Sequence, residues 1–158
     1  MAAFDPNNPY FRQQVLTASP EKLRLLLLEG CVRFMRQGRE SMGQKNWEGV
    51  YANFTSSKDI ILELINTMKP EVAPEVCAKV RSILTFVYNH LTQASFEKDL
   101  GKVDQCIKIM DYECETWRLL IDRVAQERGA NPHVTQAMAD HNGISREVAP
   151  AKPLSLSA

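Results

Sequence analysis

Three histidines (His90, His133 and His141) and four cysteines (Cys31, Cys77, Cys106 and Cys114) are the side chains best suited to metal binding, nucleophilic attack or proton transfer near neutral pH. No two cysteines are spaced Cys-x-x-Cys, and there is no Glu-x-x-His, no Gly-rich phosphate loop and no Gly-x-Ser-x-Gly. The patterns of a zinc finger, a haem attachment site, a di-iron bundle, a nucleotide-binding loop and a serine hydrolase are therefore missing. The thiols read as small buried residues of a reducing compartment. His90 is the one candidate for phosphoryl transfer, a chemistry that needs an exposed imidazole with a lysine close by. Asn89 and Leu91 flank it, and no lysine lies within a turn on either side. A partly buried packing histidine is the plainer reading. The expectation is a protein without catalytic residues, metal or cofactor, and not an enzyme.

Charge and composition narrow the classes further. The chain of 158 residues is 44% apolar and 24% charged, the make-up of one globular domain. Lys plus Arg number 19 and so do Asp plus Glu, which excludes a surface built to neutralise nucleic-acid phosphates. No run approaches the ~18 apolar residues of a membrane span, so membrane insertion is not expected. Met1 to Pro9 is polar and lacks a basic start and apolar centre, so it does not read as a secretory leader. A cytosolic location is expected.

Proline sets out the elements that would position any site. None occurs between Glu21 and Lys69, and none between Glu75 and Asn131. Each block is longer than an ordinary helix of ~10–14 residues and must fold back on itself. Met42 to Asn46 breaks the first block and Glu97 to Gly101 the second, with Asn46 and Asp99 as N-caps of the succeeding helices. Ser19-Pro20 and Pro74 supply two further helix starts. These signals predict helices over 20–42, 47–68, 75–96 and 100–127, joined by short connections. The fold class is all-α: an antiparallel up-and-down four-helix bundle over 17–128. Residues 1–16 form a short helical segment on its surface, and 129–158 a disordered tail with a turn or two of helix from Val134 to Ala139.

Apolar spacing agrees with this division. Val103, Ile107, Met110, Cys114, Trp117, Ile121 and Val124 follow alternating steps of four and three in the last helix. Val76, Val80, Ile83, Leu84, Val87, Leu91 and Ala94 do so in the third. Trp47, Val50, Tyr51, Phe54, Ile61, Ile65 and Met68 mark the second, with Lys58 snorkelling from the same stripe. The first long helix carries more than it needs. Leu23, Leu26, Leu27, Gly30, Cys31, Phe34 and Gly38 already make a core stripe, and Leu25, Leu28, Val32 and Met35 form a second line beside it. Either this helix is covered on most sides, or the second line floors a groove for an amphipathic partner helix.

Asn8-Pro9-Tyr10, followed by Val15-Leu16-Thr17-Ala18-Ser19-Pro20-Glu21-Lys22-Leu23, resembles the opening of the FliS family of flagellin export chaperones. Lys58 to Leu64, Leu91 to Ser95 with Lys98-Asp99, and Glu115-Thr116-Trp117 resemble its later helices in the same order. The likeness runs from Asn8 to Trp117. Leu28-Glu29-Gly30 departs from it, standing where the family usually has an aromatic residue, Asp and Gly. What the resemblance implies is a cytosolic chaperone that holds the disordered C-terminal segment of flagellin, blocks early polymerisation and keeps the subunit fit for type III export. Export-apparatus components or a regulator are further partners it allows. Leu25, Leu28, Val32 and Met35 would form part of the binding track, and Ile60, Phe86 and Ile109, lying off their core stripes, would extend it. Tyr10 and Phe11 would cover a groove that flagellin uncovers, or else serve as a permanent clip. The rivals are a phosphotransfer bundle using His90 and a helical adaptor for another amphipathic partner. Oligomeric state is not legible.

Overall fold

The structure, a computed structural model, describes residues 8–130. The described residues form five α-helices and no strand: α1 Pro9–Thr17, α2 Pro20–Gly43, α3 Trp47–Asn66, α4 Pro74–Glu97 and α5 Leu100–Ala130. The chain divides into two compact units, Met1–Ile121 and Asp122–Ala158, so the last described turns of α5 belong to the second. Within that second unit, residues 122–130 are helical and exposed except for half-buried Val124. The expected tail beyond Ala130, with its turn at Val134 to Ala139, lies outside the described residues.

Local chemistry starts and stops the helices where the prolines indicate. Asn8 accepts from the Tyr10 amide and Ser19 from the Lys22 amide, each just ahead of a proline at the first helical position. Asn46 accepts from the Gly49 amide at 3.1 Å, and Asp99 from those of Gly101 and Lys102 at 2.8 and 3.2 Å. Ala73 gives α4 no side-chain cap, leaving Pro74 to set its first turn. Lys98 adopts a left-handed φ of 58° that ends α4 and turns the chain into α5. α3 stops two residues before the predicted position, and α5 runs three residues beyond its own.

The core is continuous through α2, α3, α4 and α5. Met35, Phe54, Ile61, Leu64, Leu84, Leu91 and Met110 are its largest fully enclosed side chains. α2 and α3 approach one another most closely, because small residues line their contact. A Cβ at Gly38 would overlap the Phe54 ring. Further along, Ser57 Oγ donates to the Cys31 carbonyl at 3.2 Å while Cys31 Sγ donates to the Ser57 carbonyl at 3.6 Å. Arg24, Cys31 and Gly38 of α2 meet Leu64, Ser57 and Phe54 of α3, in reverse chain order. Across α2 and α5, Glu29 pairs with Arg118, Arg36 with Asp111 and Arg39 with Asp104, again in reverse order. Trp117 Nε1 adds a further contact between the two helices, donating to the Glu21 carbonyl at 2.8 Å.

Candidate partner-binding surface

The second apolar line of α2 is core. Leu25, Leu28, Val32 and Met35 are at most 6% exposed, so no open groove runs along them, although Leu28 contributes to the wall of a cavity at the start of α2. The expectation that they floor a groove is corrected, and the reason is geometric. Both lines of α2 are apolar, so the sequence offers no contrast between them, and the positions of α3 and α5 decide which turns inward. The line taken for core is divided: Gly30, Cys31 and Gly38 are buried as expected, while Leu23 is exposed and Leu26, Leu27 and Phe34 are half-buried. α2 does carry surplus apolar surface, but on different residues.

The N-terminal pair is also split. Phe11 and Val15, four residues apart on one face of α1, are half-buried, whereas Tyr10 is 74% exposed and Leu16 lies outward too. Tyr10 thus neither covers a groove nor clips one in this conformation. Trp47 and Tyr51, expected on the inner face of α3, and Val76, expected on that of α4, are likewise exposed. They sit in the first turns of their helices, where fewer neighbours surround them. Lys58 does snorkel, with its ammonium 5.6 Å from the Tyr88 ring centre.

Two of the predicted residues come together. Phe86, 50% exposed, and half-buried Ile109 line a cleft of about 560 Å³ between α4 and α5 with Ile83, Tyr112, Ser82, Lys108 and Glu113. Its walls are almost entirely apolar. The sequence reading missed Ile83, taken as core, and Tyr112, an aromatic three residues beyond Ile109 and off the α5 stripe. That spacing was the available signal. Ile60 stands apart from this cleft: it packs against the core, close to Gly30. His90 stacks on Phe86 with ring centres 5.0 Å apart, and its Nε2 lies 2.7 Å from Gln105 Oε1. It is a partly buried packing residue.

A second recess lies where α2 begins. One cavity of about 210 Å³ is walled by Leu28, Met68, Val76, Val80, Leu84 and Trp117. Another of about 340 Å³ is walled by Pro20, Leu23, Leu27 and Trp117. Arg24 and Thr67 line both. Burial pushes the thiols of Cys31 and Cys106 up to about 12 and that of Cys114 up to about 11, so these three stay neutral. Among the described residues no cluster of His, Cys, Asp and Glu is arranged to hold a metal, and no helix is long and apolar enough to cross a membrane.

Clefts of aliphatic and aromatic side chains, bordered by a few charges, are the surface of a helical binding protein. Comparison with known proteins makes the class specific: residues 3–124 match the family described as flagellar protein FliS, and the chain belongs to that family. It is 26% identical over 128 residues to the flagellar secretion chaperone FliS of Bacillus subtilis, spanning 81% of this chain and 95% of the relative. The protein of the same name from Vibrio cholerae is 26% identical over 104 residues, 66% of this chain and 76% of its own. That from Campylobacter jejuni is 27% identical over 111 residues, 70% and 87% of the two chains. The family is one of flagellar secretion chaperones.

Proposed function

We propose that this chain is a cytosolic chaperone that binds the disordered C-terminal segment of flagellin, prevents its premature polymerisation and holds it ready for export. The observation that carries this reading is the apolar α4–α5 cleft around Phe86, Ile109 and Tyr112. A disordered client loses conformational entropy on binding, roughly 2–5 kcal/mol of the gross interaction, so it needs a long apolar track. At ~25 cal/mol per Å² of apolar surface removed from water, about 200 Å² of additional burial offsets the upper figure. The cleft, the recess beside Arg24 and the exposed side chains of α1 together offer such a track. Tyr10, Phe86 and Ile109 are its proposed contacts. The reversed contact order of α2 with α3 and with α5 supports an antiparallel up-and-down bundle as the scaffold.

The test is co-expression with the flagellin of the same genome, in parallel with flagellin lacking its C-terminal segment. A complex that forms only with the intact flagellin, without nucleotide or metal, is the expected result. Equal capture of both forms refutes recognition of the C-terminal segment, and capture of neither removes flagellin as the client and leaves the adaptor reading.

A further inference from the structure

We propose that Arg24 is the anchor for a carboxylate on the bound segment, so that the recess at the start of α2 selects apolar polypeptide carrying an Asp or Glu. This rests on the flagellin reading and assigns its chemistry at one place. Arg24 is half-buried, and its Nη2 donates to the Leu64 carbonyl at 3.3 Å while the guanidinium sits 5.6 Å from the Trp117 ring centre. The ion pairs of the more exposed Arg36, Arg39 and Arg118 each supply a carboxylate. Arg24 has no such pair among the described residues. Desolvation lowers its pKa, which is the condition of a cation whose burial no carboxylate offsets.

The surroundings define what would complete it. Two cavities, of about 210 and 340 Å³, meet at Arg24 and share Thr67 and Trp117. Apolar side chains of a bound segment would enter on either side while its carboxylate accepted from the guanidinium edge. A planar fork of donors in a partly dry site favours a carboxylate strongly. Glu21 and Glu63 border one cavity and Glu113 and Lys69 the other, and none of these acids raises the Arg24 pKa. Three carboxylates nearby disfavour a doubly charged phosphate far more than a single carboxylate. A polypeptide acid is therefore the occupant.

The experiment titrates the full chain with a peptide of the flagellin C-terminal segment by calorimetry. Wild type is compared with Arg24→Lys and Arg24→Met, and each Asp or Glu of the peptide is changed in turn to Asn or Gln. Arg24→Met is expected to weaken binding about tenfold or more. One peptide substitution should weaken wild-type binding similarly and Arg24→Met binding by less than about twofold, the non-additivity of a contacting pair. If Arg24→Met fails to fold, Arg24→Gln takes its place in the cycle, and loss of the coupling is again the expected result, with Arg24→Lys retaining part of it. Additive losses for every peptide acid overturn the anchor while leaving flagellin binding intact. No binding by wild type overturns both.

Discussion

Gly38 and Gly30 stand on the same helix, and changing each to alanine should move stability in opposite directions. At Gly38 a new Cβ would overlap the Phe54 ring, and Asn53 Cβ lies 3.3 Å away. Phe54 is only 2% exposed, so its ring has no free space to turn into. Overpacking of this kind costs about 1–3 kcal/mol, against a helix-propensity gain of about 1 kcal/mol for replacing glycine. A net loss of up to about 2 kcal/mol is expected. At Gly30 the nearest atoms to a new Cβ are Arg33 Nη2 at 3.6 Å and Ile60 Cδ1 at 3.7 Å, ordinary contacts that require nothing to shift. Gly30→Ala should therefore add about 0.5–1 kcal/mol. Urea unfolding followed by circular dichroism measures both, and a slope of about 2 kcal/mol/M would separate the two midpoints by about 1 M. A Gly38→Ala midpoint at or above wild type would refute the claim that α2 and α3 are in steric contact there. A fall for Gly30→Ala would refute the open space assigned beside Ile60.

Phe86→Ala should weaken flagellin-segment binding by about 0.7–1.5 kcal/mol, because half of a side chain worth about 1.5–3 kcal/mol remains to be buried; unchanged calorimetric affinity removes the α4–α5 cleft from the site. Cys77 is the least buried thiol, so Ellman's reagent at about pH 8 should titrate one fast thiol in the native chain and four after denaturation. Cys31, Cys106 and Cys114 have folded pKa values raised to about 11–12. Their stabilising contribution is complete below the unfolded thiol pKa near ~8.5. It falls by up to ~1.4 kcal/mol per thiol per pH unit as pH rises towards the folded values. Urea midpoints between about pH 8 and 10.5 should therefore decline less steeply in Cys31→Ala than in wild type. Asp104→Asn breaks an ion pair of roughly half-exposed partners and should cost under about 1 kcal/mol, a loss that shrinks in high salt.

The helices were legible because backbone rules act locally. Ser19-Pro20, Asn46, Pro74 and Asp99 satisfy or remove orphan amides whatever surrounds them, and each opens a helix. The α5 stripe was equally clear, since its steps of four and three run unbroken and Asp104, Asp111 and Arg118 border it on one side. On α2 that contrast disappears. Two adjacent apolar lines look alike until α3 and α5 are in place, and the protein buries the whole of the second line together with Gly30, Cys31 and Gly38 of the first. The α4–α5 cleft was half-legible: Phe86 and Ile109 could be seen to lie off their stripes, but their meeting depends on how the two helices rotate against one another. Arg24, by its spacing, is only a charge at the start of an apolar helix. Its significance lies in the carboxylate it does not have, which no spacing rule reports.

The reciprocal bonds between Cys31 and Ser57, set beside the glycine contact at Phe54, have a mechanical consequence. Backbones that approach so closely leave no slack, so α2 and α3 act as a keel. α5 is tied to α2 along one flank by ion pairs of partly exposed partners, contacts that water can replace. A client wedging into the outer cleft would strain that side first and leave the keel straight. Grip and resilience are thus assigned to opposite flanks of α2, by a glycine and a thiol on one and by exposed charges on the other.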